Sequence, residues 1–291
     1  MKPKLLNQIQ SINPINLSLL LTVFFIVTHF ESVIKSSPMI YTPILMLGSA
    51  GVLFEQCRKS KYFWLLTSIF YAIFILFNWQ TVDNHMYLWG YWLIAITMSF
   101  YSIDKETSLK LSAKYLIAFC MGYAGIQKLN PNFLSGDFFY FKLITDPRFN
   151  FIGSLIQFNL PEVISENKYL IQKVMQESKT SLLNAGPYIL HPISKILTWY
   201  TIIIETIVTL VFFLPRKRFY IWQHWLLLLF GSLYFVLPIR GFAFTLLTMG
   251  FILIKKEDIK LKVIYLLFLA YIFILSTTVL KALLKATYQI S

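Results

Sequence analysis

Apolar segments long enough to cross a membrane recur along the whole chain, separated by polar or charged connections. A helix rises about 1.5 Å per residue, so roughly 17 to 25 apolar residues are needed to cross a bilayer. The pattern predicts nine such helices, at residues 15–30, 39–56, 62–79, 85–101, 111–127, 191–214, 219–237, 241–255 and 261–282. We therefore expect an all-α polytopic membrane protein with about nine transmembrane helices, in a single domain spanning residues 1–291.

Composition and charge support the same class of protein. Hydrophobic residues make up 57% of the chain and charged residues 13%, and the mean hydropathy is +0.64, so a soluble domain would have a largely apolar surface. The net charge of +13 would suggest nucleic acid in a soluble protein, but Lys and Arg also collect on cytoplasmic connections of membrane proteins. More than half of the 26 basic residues do fall on alternate connections, namely Lys2, Lys4, Arg58, Lys59, Lys61, Lys105, Lys110, Lys114, Arg216, Lys217, Arg218, Lys255, Lys256, Lys260 and Lys262. The pattern predicts a cytoplasmic N-terminus, an extracytoplasmic C-terminus and no nucleic-acid partner.

The long connection at residues 129–190 then lies on the extracytoplasmic side. Apolar residues recur along it at helical spacing, as in interfacial or lid helices. They are Phe151, Ile152, Leu155, Ile156 and Phe158, and again Leu170, Ile171, Val174 and Met175. We expect a helical cap on the mouth of the bundle that controls the entry of any soluble peptide.

Lys128 ends the fifth apolar segment. Gly122 and Gly125 thin one helical face so that a neighbouring helix can approach, and Pro131 prevents the helix from simply continuing. One interpretation is a snorkelling anchor, with the ammonium at the interface. The other is a catalytic base, because desolvation disfavours the ammonium form and a lysine in an apolar site can then accept a proton.

The predicted topology places four further polar groups on the same side as Lys128. Asn84 and His85 lie at the outer mouth of the fourth span, His191 at the outer start of the sixth, and Arg240 at the outer turn between the seventh and eighth. His85 could instead cap its helix or bind a loop carbonyl, and Arg240 could be an interface anchor.

Glu205 and His224 fall inside predicted spans. Ionisable groups at such depth face the bundle interior, pair with one another or serve a pathway. The two could form a structural intramembrane pair or take part in proton or substrate transfer. The sequence has no zinc-ligand spacing, phosphate-binding glycine loop, nucleophile elbow or CxxC motif. A histidine and a lysine at an apolar, outward-facing site remain, and they suit a lipid-soluble acid such as a quinol.

Two segments resemble the vitamin K-dependent gamma-carboxylase family, whose shared membrane module is called HTTM. Residues 83–90, Asp-Asn-His-Met-Tyr-Leu-Trp-Gly, resemble its Asn-His-x-Tyr-Leu-x-Gly segment. Residues 124–136, Ala-Gly-Ile-Gln-Lys-Leu-Asn-Pro-Asn-Phe-Leu-Ser-Gly, resemble its Ala-Gly-x-x-Lys-Leu segment. A weaker match covers Glu205 and His224. The resemblance extends over roughly residues 15–255 and is closest to a short bacterial-type member without the large lumenal portion of the animal enzyme.

The resemblance implies a site chemistry. Lys128 would deprotonate reduced vitamin K or menaquinol, and His85 would assist. We expect Asn84 and Tyr87 to shape the pocket, and Asn84, Tyr87, Arg240 and His191 to bind the quinol, since the predicted topology places His191 and Arg240 on the same side. Oxygen would then drive removal of a proton from a peptide glutamate, to which carbon dioxide adds, with no metal required.

The resemblance also implies a setting for that site. We expect a bacterial inner-membrane protein whose partners are the bilayer, the quinol, a secreted peptide and a separate soluble subunit. The alternative is a non-catalytic membrane helper or immunity-type protein in the production of a secreted antimicrobial peptide.

Overall fold

The computed structural model describes residues 9–29, 38–80, 82–146, 160–177, 189–236 and 240–276. The regular elements within these residues are helices. A helix occupies each of the nine predicted apolar segments, and the others lie in the connections. In chain order they are α1 Pro14–His29, α2 Pro38–Leu53, α3 Glu55–Lys59, α4 Lys61–Asn78, α5 Asn84–Tyr101, α6 Lys105–Gln127, α7 Pro131–Leu134, α8 Asp137–Thr145, α9 Leu160–Glu177, α10 Leu190–Phe213, α11 Arg216–Val236, α12 Arg240–Ile252 and α13 Ile259–Ser276. The all-helical expectation is confirmed.

Two of these helices, α4 and α10, are long and apolar enough to cross a membrane. Three shorter apolar stretches lie at Pro14–Thr28, Met39–Leu53 and Gly241–Ile252. The prediction of nine spans therefore stays a prediction, although the helices themselves are in the expected places.

The short helix α12 lies at the centre of the bundle. Every residue from Ala243 to Ile254 is buried, because α12 packs against α1, α5, α6, α11 and α13. A β-carbon at Gly250 would lie 2.4 Å from Leu227 Cδ2, so a larger residue here would displace the Leu227 side chain of α11.

Helices α6 and α10 form the most extensive helix pair and run antiparallel. Near one end, Lys114 Nζ donates to the Leu214 carbonyl at 2.9 Å. At the other end, α10 continues beyond α6 and packs against α7 and α8, and α8 packs against α9. We call α7, α8, α9 and the first half of α10 the cap. A hydrophobic cluster separate from the bundle core holds it together, formed by Phe133, Phe139, Leu143, Ile144, Leu160, Ile164, Leu190 and Ile202.

The cap agrees in part with the prediction for residues 129–190. Leu170, Ile171, Val174 and Met175 belong to α9, as their spacing predicts. The first apolar set, Phe151, Ile152, Leu155, Ile156 and Phe158, lies outside the described residues.

Candidate functional site

The end of α6 fixes the position of Lys128. The helix ends at Gln127, and Lys128 is its C-cap, with its backbone N–H still bound to the carbonyls of the last turn. Asn130 then caps α7 by accepting a hydrogen bond from Phe133 N at 3.0 Å, and Pro131 occupies the first turn of α7. The expectation that the helix stops at this lysine is confirmed.

The two glycines of α6 bring α10 close to it. A β-carbon at Gly122 would lie 3.1 Å from Thr209 Cγ2, and one at Gly125 would lie 3.9 Å from Glu205 Cβ. The predicted approach of a neighbouring helix is therefore confirmed, and that helix is α10. Because α10 extends beyond α6, Glu205 is level with the end of α6 and not with its middle.

Lys128 and Glu205 form an ion pair between α6 and α10. Lys128 Nζ lies 2.5 Å from Glu205 Oε1 and 2.6 Å from Oε2, and it also donates to the Ala124 carbonyl at 3.4 Å. The Glu205 side chain is 5% exposed, whereas that of Lys128 is 21% exposed. The carboxylate is thus enclosed, and the ammonium is accessible from one side.

Apolar residues lie near Lys128. Its Nζ lies 5.8 Å from the centre of the Phe133 ring, which belongs to α7. Ile126 and Leu129, on either side of the end of α6, are 68% and 60% exposed. One aromatic ring therefore lies near the ammonium in space, and two exposed apolar side chains lie near it along the chain.

Glu205 completes a buried polar stripe along α10. Ser194, Thr198 and Thr201 precede it on the same face and are buried. Their hydroxyls donate to carbonyls of their own helix, at 2.8 to 2.9 Å. Glu205 has no hydrogen to donate to such a carbonyl when ionised, so its charge needs a partner on another helix, and Lys128 supplies it.

The predicted pairing of Glu205 with His224 is corrected by the structure. His224 is buried on α11, and its Nδ1 lies 2.9 Å from the hydroxyl of Tyr265 on α13. The Tyr220 ring also meets the His224 imidazole edge-on, with centroids 4.7 Å apart. The two residues have different partners because α10 is shifted along α6 towards the cap, which places Glu205 beside Lys128.

The segment 83–90 forms the N-cap and about the first two turns of α5. His85 is 7% exposed, and its Nδ1 lies 3.9 Å from the Asp83 carboxylate. Asn84 is exposed, and the Tyr87 hydroxyl donates to the Trp79 carbonyl at 2.7 Å. Because α5 and α6 are neighbouring antiparallel helices, the start of α5 lies at the same end of the bundle as Lys128. Tyr87 also ties α5 to the end of α4.

His191 and Arg240 were also predicted site residues. His191 lies in the cap, at the start of α10, where its ring stacks on Tyr140 with centroids 4.1 Å apart. It is thus nearly four turns before Glu205 on the same helix. Arg240 begins α12, and its side chain lies outside what the structure describes.

Sequence reasoning missed three residues that the structure makes prominent. Phe133 lies beside Lys128, within the segment 124–136, but its aromatic character alone gave no signal. Tyr265 is one of many tyrosines in apolar segments, so nothing distinguished it as the partner of His224. Lys262 is fully buried, and its Nζ donates to the carbonyls of Ile12 and two earlier residues. Its position in a basic connection had indicated an exposed charge.

The Lys128–Glu205 pair places a proton donor beside a proton acceptor where little water reaches the carboxylate. An ammonium and a carboxylate held together in a desolvated place can convert to an amine and a carboxylic acid, because burial penalises both charges. Among the described residues, no three His, Cys, Asp or Glu side chains converge as metal ligands would.

Comparisons of the chain with protein-family models, with curated proteins and with solved structures found no match.

Proposed function

We propose that this chain is an integral membrane protein with about nine spans. The apolar character of its surface supports the proposal. Forty large hydrophobic side chains are exposed among the described residues, including Leu76, Phe77 and Met98 at 66% or more. A water-soluble domain rarely exposes contiguous apolar surface on this scale, whereas lipid requires it.

Helix α10 carries the clearest sign of a lipid environment. Its exposed face is apolar, with Ile196, Trp199, Ile203, Ile207 and Leu210 at 39 to 67% exposure. Its buried face holds the polar stripe that ends at Glu205. This polarity is opposite to that of a surface helix in a soluble protein and is typical of membrane bundles, in which small and polar residues face neighbouring helices.

The same proposal includes the orientation, with a cytoplasmic N-terminus and an extracytoplasmic Lys128 site in a bacterial inner membrane. The separation of charge supports it, because Arg216, Lys255 and Lys256 line one recess at the end of the bundle opposite Lys128. Single cysteines near Ser135 and at Lys217, in a background without Cys57 and Cys120, test the orientation. An impermeant reagent outside intact cells should label the first and not the second, and labelling at 217 would contradict it.

We further propose that the Lys128–Glu205 pair is the proton-exchange site of a quinol-dependent, carboxylase-like enzyme. The observation that carries this proposal is the asymmetry of the pair, in which the carboxylate is enclosed and the partly exposed lysine lies near the Phe133 ring. A bound quinol, such as reduced vitamin K or menaquinol, supplies an acidic hydroxyl and, with oxygen, the driving force for deprotonating a peptide glutamate that carbon dioxide then carboxylates. The flat ring of Phe133 and the exposed Ile126 and Leu129 fit an apolar ring system.

Lys128 and Glu205 have different roles in the proposed proton transfer. In the ion pair Lys128 is an ammonium and cannot act as a base. Transfer of one proton from Nζ to the Glu205 carboxylate leaves a neutral amine and a carboxylic acid, with no change in total charge. Nζ then accepts a proton from the acid that lies against it, and Glu205 stabilises the new ammonium when it returns its own proton to a later acceptor. Lys128 is therefore the base and Glu205 its proton store.

His85 is expected to assist at the same end of the bundle. It is enclosed in the first turn of α5, and in our proposal Asn84, which is exposed beside it, faces arriving quinol. Tyr87 shapes this turn through its hydrogen bond to Trp79. His191, stacked in the cap, is better placed for a peptide or partner subunit than for the quinol.

A conservative substitution tests the chemistry. Lys128→Arg keeps a cation that can bind the Glu205 carboxylate, but a guanidinium does not lose its proton in proteins. We expect normal folding, with quinol oxidation and labelled carbon dioxide incorporation into a glutamate peptide each reduced about a hundredfold or more. Lys114→Gln is the matched control, because Lys114 lies in the same helix pair and bonds only a backbone carbonyl in the described structure.

The alternative function is a non-catalytic helper or immunity-type protein. One observation favours it: both charges of the pair are satisfied, as in a structural bridge between α6 and α10. In that case Lys128→Arg should preserve the biological function together with the fold. Loss of function with a preserved fold would exclude this alternative.

A further inference from the structure

A recess lined by basic side chains lies at the end of the bundle opposite Lys128. Three segments form it: Lys110 projects from α6, Arg216 and Lys217 begin α11, and Lys255 and Lys256 belong to the turn between α12 and α13. We call it the basic recess. Charges that are far apart in the chain are thus gathered around one concave surface, which charge bias between membrane sides does not by itself require.

Arg216 shapes the floor of the recess. It is half-buried, and its guanidinium donates to the Leu253 carbonyl at the end of α12. Its Cζ lies 5.7 Å from the centre of the Tyr220 ring. Its buried Nε has no hydrogen-bond partner among the described residues. Arg216 therefore places a positive charge at the recess, and the Leu253 carbonyl anchors its guanidinium.

Hydrogen bonds to Tyr220, which also lies beside Arg216, hold the turn between α12 and α13. The Tyr220 hydroxyl accepts a hydrogen bond from Lys255 N at 3.0 Å and donates to Asp258 at 3.3 Å. Lys255 Nζ lies 4.7 Å from the Tyr220 ring. Lys255 and Lys256 both line the recess and are both exposed, and the backbone of Lys255 is bound to Tyr220.

Two acidic side chains in the recess do not balance its basic ones. Glu106 is bound by Lys110, with 2.5 Å between Nζ and Oε1. The hydrogen bond from Lys110, helped by the charge of Lys256, lowers the pKa of the Glu106 carboxyl. Glu257 is exposed at the rim. With Glu106 committed to Lys110, the recess keeps an excess of positive charge.

An exposed apolar strip begins next to the recess. Leu111, which follows Lys110, is 50% exposed, and Phe213, three residues before Arg216, is 46% exposed. The rings of Tyr115 and Phe119 lie 6.2 and 5.4 Å from the ring of Phe213, centre to centre. Tyr115, Phe119 and Phe213 therefore form an aromatic strip along α6 and α10.

We propose that the basic recess binds the anionic headgroup of a phospholipid and that the aromatic strip receives its acyl chain. A soluble phosphate compound would use only the recess, and an acidic protein segment would not require the adjoining strip. A lipid with a phosphate at one end and hydrocarbon at the other matches both surfaces. The inference rests on the proposed membrane location but not on the chemistry of Lys128.

The test measures lipid retention by the whole protein in nanodiscs that contain a mixture of phosphatidylglycerol and phosphatidylcholine. The protein is extracted with its bound lipid, and the ratio of the two lipids is read by native mass spectrometry. Lys255→Gln combined with Lys256→Gln should reduce the preference for phosphatidylglycerol by about fivefold for each charge removed. The matched control is Lys59→Gln with Lys61→Gln, two basic residues on a predicted cytoplasmic connection outside the recess.

The outcomes distinguish a lipid site from an effect of total charge and from a soluble anion. Loss of preference in the recess variant but not in the control supports it, and equal loss in both means that only total charge matters and overturns it. Phe213→Ser should also weaken lipid retention, and an unchanged preference there, together with displacement of the lipid by millimolar inorganic phosphate, would assign the recess to a soluble anion instead. Lys128→Arg should leave the preference unchanged. Failure to insert would contradict the membrane location, whereas insertion without lipid preference contradicts only the recess.

Discussion

Lys128 and Lys262 are both enclosed lysines at the ends of long helices, but their ammonium groups have different partners. Lys262 is fully buried, and its Nζ donates to the carbonyls of Ile9, Gln10 and Ile12 at 3.5, 3.1 and 2.8 Å. Lys128 keeps 21% of its side chain exposed and faces the Glu205 carboxylate. The ammonium of Lys262 is bound by backbone carbonyls, whereas that of Lys128 is bound by a carboxylate, which can accept a proton.

The difference shows why burial alone does not identify a functional lysine. Backbone carbonyls accept the hydrogen bonds of an ammonium but cannot take its proton, so Lys262 fastens the segment before α1 to α13 in one charge state. A carboxylate can exchange a proton with its partner at constant total charge. Of these two lysines, Lys128 has both a carboxylate partner and partial exposure, as the proposed chemistry requires.

Removing the charge of Lys128 should have the largest effect on the free energy of unfolding. Lys128→Met leaves the enclosed Glu205 carboxylate without its partner, which costs about 3–5 kcal/mol of folding free energy. Glu205→Leu should cost less, because the longer Lys128 can turn its ammonium towards water. Unfolding free energies of both variants in the same detergent check the order, and a larger loss in Glu205→Leu would mean that Lys128 is the better enclosed of the two.

Removing Lys262 should affect stability without affecting chemistry. Lys262→Met leaves buried carbonyls unsatisfied, at about 1–3 kcal/mol. We expect lower thermal stability and faster proteolysis near residues 9–12, while quinol turnover per folded molecule stays unchanged. Loss of turnover in the folded fraction would mean that Lys262 belongs to the chemistry after all.

A smaller effect on stability is expected when the residues around Lys128 are displaced and both lysines are kept. Gly136 has a φ of +90°, and a β-carbon there would lie 3.1 Å from Ser194 Oγ and 3.2 Å from Lys195 N. Gly136→Ala should therefore cost about 1–2 kcal/mol and displace α7, with Phe133, from Lys128. The control is Gly90→Ala, whose β-carbon would meet Tyr71 at 3.4 Å, an ordinary contact. Turnover should fall in the first variant and not in the second.

The smallest effect is expected where α6 begins, at a charge that water already solvates. Asp104 caps α6 by accepting from Thr107 N at 3.0 Å, and the hydrogen bonds from Thr107 lower the pKa of its carboxyl. Because the folded state has the lower pKa, the cap stabilises the protein above the ordinary pKa of an aspartic acid and loses this effect as pH falls through the lowered value. Melting temperatures of wild type and Asp104→Ala should differ slightly near neutral pH and converge in acid. A constant difference would assign the effect to packing.

Much of the fold follows from residue patterns. Apolar length placed the nine long helices, and the combination of Gly122, Gly125 and Pro131 placed both the close helix contact and the end of α6. These features are local, because each depends on the reach of one helix or on the backbone preference of one residue.

The partner of Glu205 could not be derived in the same way. The limits of its own apolar segment place Glu205 inside a predicted span, and they carry no information about how far α10 is shifted along α6. The shift of α10 along α6 depends on the cap, where the Gly136 turn packs against Ser194 and Lys195. One usable signal was present: Ser194, Thr198 and Thr201 lie on the same face as Glu205 and mark it as a buried polar stripe.

A double-mutant cycle on Lys128 and Glu205 tests most directly whether the two residues act as one unit. Unfolding free energy and quinol turnover are measured for wild type, Lys128→Met, Glu205→Leu and the double variant. We predict that the double variant recovers to within about 1 kcal/mol of wild type, because an apolar pair can replace a buried ion pair, while turnover remains lost. A double variant whose destabilisation equals the sum of the single changes, or one that retains turnover, would contradict the account.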